Sequence, residues 1–138
     1  MNKNISLSNN SAPATNDSAI HTPSIHLLLD FGGVASKLLT DLNAIEGAIR
    51  AAAHACGATI LGVHLHQFNE VGEVQAGVTG VAILAESHIS IHTWPEINYA
   101  AIDVFMCGVC DANLAIPVFE AYFQPNSCKI TTIARGIK

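Results

Sequence analysis

A chain of 138 residues, half of them hydrophobic and 12% charged, has room for one compact core and not for two. Its formal charge of -5, with only six Lys and Arg, excludes the basic stripe that a phosphate backbone requires, so no nucleic-acid partner is expected. No apolar run reaches the roughly 18 to 20 residues that span a bilayer and no apolar signal core opens the chain; a cytoplasmic protein without a membrane partner is expected, with Cys56, Cys107, Cys110 and Cys128 as reduced thiols.

Residues 1–22 are small, polar and without periodicity, which predicts a disordered tail ahead of a single domain over 23–138. Ile25–Phe31 (IHLLLDF) reads as a buried strand closed by the turn signal Gly32-Gly33. A helix follows: Thr40 or Asp41 caps it, Leu42, Ile45, Ile49, Ala52 and Ala53 recur at helical spacing, and Gly57 stops it. Residues 58–68 predict a strand with Ile60, Gly62, His64 and His66 on one face and Leu61, Val63 and Leu65 on the other. A loop over 69–77 precedes a strand over 78–86, a turn region, and two further strands over 100–108 and 128–134. Between these last two, a helix from about Asp111 to Phe123 contains Pro117, which in a helix interior would remove a hydrogen bond and clash with the preceding turn. This order of five strands and two helices predicts a two-layer α/β sandwich, an antiparallel or mixed sheet with two helices on one face. Its other face, if as apolar as the strands suggest, needs a cover, and a homodimer supplies one.

The turn region carries the chemistry. Residues 86–96 read Glu-Ser-His-Ile-Ser-Ile-His-Thr-Trp-Pro-Glu, more polar function than a buried strand tolerates without partners. In strand geometry His88, Ser90 and His92 share one face, while Ser87, Ile89 and Ile91 point the other way unless a turn or bulge at Glu86-Ser87 re-aims the serine. Trp94 and Pro95 read as packing and turn residues, and His88 as structural or pocket-lining. Cys107-Gly108-Val109-Cys110 has the spacing of a redox or zinc pair, with His64, His66, His88 and His92 as conceivable further ligands; a second short-spaced pair and a tryptophan-flanked redox context are both missing, so no metal is expected and Cys56, Cys110 and Cys128 read as small apolar residues.

Taken together, Ile25–Leu28, Gly57-Ala58-Thr59, His66-x-Phe68, Gly77–Gly80, Glu86–Glu96, Tyr99–Phe105, Cys107-Gly108 and Arg135-Gly136 make the chain resemble the prokaryotic S-adenosylmethionine decarboxylase proenzymes over about residues 25–136. The resemblance implies self-cleavage between Glu86 and Ser87, giving a β chain of 1–86 and an α chain of 87–138. The Ser87 hydroxyl would attack the Glu86 carbonyl, exchanging amide for ester, and elimination and hydrolysis would leave a pyruvoyl group derived from Ser87. That group would form a Schiff base with the substrate amine, so neither a metal nor pyridoxal phosphate is implied. His92 matches the proton acceptor in processing, Thr79 its supporting hydroxyl, and Cys107 the proton donor in turnover. Glu96 and Phe68 match substrate contacts, for ribose hydroxyls and adenine respectively, although about five residues are inserted between Phe68 and Gly77 relative to short family members. The substrate implied is S-adenosylmethionine, on the way to spermidine, and the assembly a homodimer of processed αβ protomers; the same chemistry on arginine or ornithine and, more remotely, a non-catalytic metal-binding dimer module are the alternatives.

Overall fold

The computed structural model describes residues 24–69 and 76–137; the predicted tail and most of the 69–77 loop lie outside them. Six strands form one sheet: β1 (Ser24–Gly32), β2 (Ile60–Gln67), β3 (Val78–Leu84), β4 (Ser87–Trp94), β5 (Tyr99–Met106) and β6 (Ser127–Arg135). They lie in the order β2-β3-β4-β5-β1-β6, and every neighbouring pair is antiparallel. Helices α1 (Leu42–Ala55) and α2 (Ala115–Phe123) cover one face.

The two-layer sandwich is therefore as expected, with a sheet that is antiparallel throughout. It has six strands, not five, because the region read as a turn before Tyr99 is itself a strand. Leu84 pairs with Ser87 across a loop of only Ala85 and Glu86, so the predicted strand 78–86 ends early and β4 begins at once.

The period-2 alternation decides what goes where. Leu27, Leu29 and Phe31 of β1, Ile89 and Ile91 of β4, and Ile102, Val104 and Met106 of β5 are buried beneath the helices with Ile45, Ile49, Phe119 and Phe123. Each buried side chain of this size contributes about 1.5–3 kcal/mol relative to exposure. One alternation fails. In β2 the register shifts between Ile60 and Gly62, with Ile60 opposite Leu84 and Gly62 opposite Ile83. This bulge puts Ile60 on the helix side, packed on the core, and not with His64 and His66, which stay on the open face.

The helices obey their signals. Asp41 caps α1, its carboxylate accepting from the Ala44 N–H at 3.1 Å. At the other end Gly57 takes φ 83, and the N–H groups of Gly57 and Ala58 close on the carbonyls of His54 and Ala53, a Schellman arrangement. Pro117 is no obstacle: a 3₁₀ turn at Ala112–Leu114 precedes α2, so the proline falls in the first turn of the helix, where its missing N–H has no intrahelical acceptor to lose. No helix among the described residues is long and apolar enough to cross a membrane.

The open face is more polar than the strands suggest. It presents His26 and Asp30 from β1, His64 and His66 from β2, Thr79 from β3, His88, Ser90 and His92 from β4, and Asp103 from β5, alongside Val81, Ile83 and Phe105. Asp103 accepts from the Ser90 hydroxyl at 3.1 Å and lies 3.3 Å from His26 Nε2 without hydrogen-bond geometry, while Asp30 accepts from the Tyr99 hydroxyl.

Candidate active site

The tight β3–β4 hairpin creates the first candidate cluster. Two-residue hairpin loops normally use Gly, Asn or Asp to supply positive φ, the twist that antiparallel strands require. Ala85 and Glu86 supply none, and the following residue takes it: Ser87 has φ 153. That region is close to glycine-only, and a side chain held there stores on the order of 1–3 kcal/mol. Asn98 and Gln124 also have positive φ, but in ordinary left-handed positions after helical turns.

The residue before the strained serine is pinned on both sides. The Glu86 carboxylate accepts from the Thr59 N–H at 2.8 Å, and the Glu86 carbonyl oxygen accepts from both the Cys107 thiol at 2.8 Å and the Cys107 N–H at 3.2 Å. Two donors converging on one carbonyl form the kind of cradle that stabilises negative charge developing on that oxygen. The end of β5 delivers them, because Ser87 pairs with Met106.

The second cluster sits at the far end of the same strand. His92 Nδ1 and Thr79 Oγ1 are 2.8 Å apart, across the β3–β4 pair that sets them opposite each other. They line a cleft of about 590 Å³ together with Phe68, Trp94 and Glu96. Thr93 fastens its floor, donating to the Leu39 carbonyl at 2.7 Å and accepting from the Val78 N–H at 2.8 Å. Gly77 and Gly80 allow the close approach: a Cβ on Gly77 would meet the Thr93 carbonyl, and one on Gly80 the Leu65 side chain. Trp94 is 38% exposed in this cleft and stacks on Tyr99 at 5.2 Å between centroids, a packing contact that leaves part of the indole open to the cleft.

Seven chosen residues thus fall into two groups, Glu86 with Ser87 and Cys107, and Thr79 with His92, Phe68 and Glu96. The groups do not meet within the chain. Five residues along a strand separate Ser87 from His92, roughly 16 Å at 3.3 Å per residue, and the alternation sends them to opposite faces. Residues 70–75, between Phe68 and Gly77, lie outside the described residues.

Cys56 is buried, its thiol turned towards the Ala112 carbonyl at 3.9 Å and pushed up to about 11 by burial, with the neighbouring Cys110 and Asp111 adding to the shift. Cys110 hydrogen-bonds the Gly57 carbonyl at 3.5 Å, and its thiol is likewise pushed up, first by burial and then by Glu86 and Cys107. Among the described residues no group of three or more His, Cys, Asp or Glu side chains is arranged to hold a metal ion.

Comparison with known proteins agrees on one family. The family model described as S-adenosylmethionine decarboxylase matches residues 25–136. A Methanococcus maripaludis protein named S-adenosylmethionine decarboxylase proenzyme is 45% identical over 113 residues, 81% of this chain and 88% of the relative. One of the same name from Thermomicrobium roseum is 40% identical over 113 residues, covering 81% and 92%. The crystal structure of the adenosylmethionine decarboxylase from Aquifex aeolicus superimposes with a TM-score of 0.75 at 33% identity, covering 85% of this chain and 93% of that one.

Proposed function

The chain belongs to the S-adenosylmethionine decarboxylase family, and from that premise we propose that the bond between Glu86 and Ser87 is the one its proenzyme breaks. The enzyme decarboxylates S-adenosylmethionine, yielding carbon dioxide and the aminopropyl donor of spermidine synthesis. One observation carries the site assignment: the only strongly strained serine among the described residues, Ser87 at φ 153, directly follows a carbonyl held by two donors.

The chemistry follows from that geometry. Attack of Ser87 Oγ on the Glu86 carbonyl carbon places negative charge on an oxygen that the Cys107 N–H and thiol already hold, and breaking the backbone C–N bond releases the φ strain. The ester that replaces the amide has a better leaving group. Elimination then needs a base for the Ser87 Cα proton. His92 suits this role: its Nδ1 shares a hydrogen bond with Thr79 Oγ1, and in the tautomer that donates from Nδ1 the Nε2 lone pair is the one available to accept a proton. The pyruvoyl group left at residue 87 would supply the electron sink for loss of carbon dioxide. Cys107, next to that terminus, is the proton donor that completes turnover.

His92 is too far from Ser87 to serve it within one chain, which supports a homodimer that forms before cleavage and persists between the processed protomers. A two-fold axis crossing the open face near the middle of β4 would lay the Thr79–His92 end of one copy over the Ser87 end of the other. The polar side chains of that face would then be partnered across the interface. The cleft beside His92 would hold the substrate, with Phe68 and Trp94 offering aromatic faces to adenine and Glu96 a carboxylate to the ribose hydroxyls. Arginine and ornithine have no ring for those faces. Carboxyl-labelled S-adenosylmethionine, arginine and ornithine offered in parallel test this reading: label is released from the first alone, and release from either amino acid with none from S-adenosylmethionine refutes it.

A further inference from the structure

Cys110 has no part in the reaction outlined above, yet it stands three residues from Cys107 on a turn built for reach. Gly108 takes φ 71, a Cβ there would meet nothing within 4 Å, and Val109 at the crest is 97% exposed, so no packing holds the turn rigid. A turn of this kind keeps its first and last Cα atoms within about 7 Å, the outer limit that a disulfide bridges. Both thiols are only half-buried, and each rests on a backbone carbonyl, that of Glu86 for Cys107 and that of Gly57 for Cys110.

We propose that Cys107 and Cys110 close a reversible disulfide that withdraws the Cys107 thiol from the Glu86 and Ser87 site and so switches the enzyme off under oxidation. The proposal rests on the role assigned to Cys107 above. The oxidant is a low-molecular-weight disulfide such as oxidised glutathione. The Cys107 thiolate attacks one of its sulfurs, forming a mixed disulfide and expelling one thiolate. The Cys110 thiolate then attacks the Cys107 sulfur, closing the protein disulfide and expelling the second. The protein loses two electrons and two protons, and two small thiols are formed.

The order of events follows from the surroundings. Burial first, then the Glu86 charge and the neighbouring Cys107, push the Cys110 thiol up, which suits it to the resolving step and not to the opening attack; the Cys107 contribution ends once that thiol carries the mixed disulfide. Cys56 is the competing partner, since it also lies beside Cys110. It is buried and its thiol is pushed up to about 11, which leaves it inert. Cys128 is on β6, beside Phe31 of β1 and outside this cluster.

The test uses the processed enzyme incubated with oxidised glutathione, read by intact mass, peptide mapping and turnover together. The fragment beginning at residue 87 should lose two hydrogens and carry no glutathione, with the bridge mapped to Cys107 and Cys110. Turnover should fall by about 100-fold or more, as for loss of a proton donor, and return with dithiothreitol. Cys110→Ser, or Cys110→Ala should the serine fold poorly, should keep basal turnover and accumulate a glutathione adduct on Cys107 instead of the bridge. A stable adduct at Cys107 in the unmutated enzyme, or a bridge that uses Cys56, overturns the proposal. So does a bridged enzyme with undiminished turnover; in that event an active Cys107→Ala variant would fail the proton-donor role as well, whereas an inactive one would sink the switch alone.

Discussion

At the scale of single residues, Ser87 is where sequence and backbone disagree. A residue with a Cβ occupies a conformation that favours glycine, because the two loop residues before it do not provide positive φ. Ser87→Ala and Ser87→Gly both remove the hydroxyl and should both remain single uncleaved chains, so their stabilities can be compared directly. The glycine variant should be the more stable by about 1 kcal/mol, the strain relieved less the ~0.5–1 kcal/mol that glycine costs in unfolded-chain entropy. Denaturant unfolding reads the difference, and an alanine variant at least as stable as the glycine one would remove strain from the account. The serine was legible as a candidate from its motif; its conformation was not, since nothing in the residue itself signals positive φ. The same is true of the Cys107 N–H, a functional group that every residue but proline carries and that only strand pairing singles out.

At the scale of elements, the strands were legible wherever alternation ran unbroken. Ile89 and Ile91 face the core and His88, Ser90 and His92 the open face, as their spacing predicts. It failed at Leu61, where a one-residue bulge reverses the face of Ile60, and at Ala85-Glu86, where a hairpin turns without its usual residues. The pairing of β1 with β5 also offers a pH test. Tyr99 donates to Asp30, and that hydrogen bond, followed by burial, pushes the Tyr99 hydroxyl up to about 12 from 10. A folded-state value raised above the unfolded one means stability fully present below pH 10 and lost as pH climbs through about 12. Tyr99→Phe should make this alkaline decline shallower without abolishing it, because Tyr122 is also pushed up to about 12. An unchanged pH slope for the variant in denaturant titrations would show that the Asp30 contact carries no linkage.

At the scale of the whole molecule, the candidate site divides between the two ends of β4. The residue types were readable, yet their separation required the knowledge that 87–94 is one continuous strand. An open face rich in histidine and carboxylate, and not plainly apolar, fits a surface whose polar groups find partners in a second copy. Mixed dimers test this arrangement. His92→Ala alone should leave Ser87 unprocessed, and co-expression with Ser87→Ala should restore cleavage of the His92→Ala chain, whose intact serine meets the other copy's histidine. Failure of the mixture to cleave, with mixed dimers shown to form, would place the base elsewhere.

Self-processing would have this polypeptide make its own electrophile by breaking one backbone bond. Intact mass measurement of the active preparation addresses it directly. The account predicts two polypeptides, one ending at Glu86 and the other beginning at residue 87 with a keto-acyl group and no free amine. A catalytically active preparation consisting of one unbroken chain, serine retained, would contradict it.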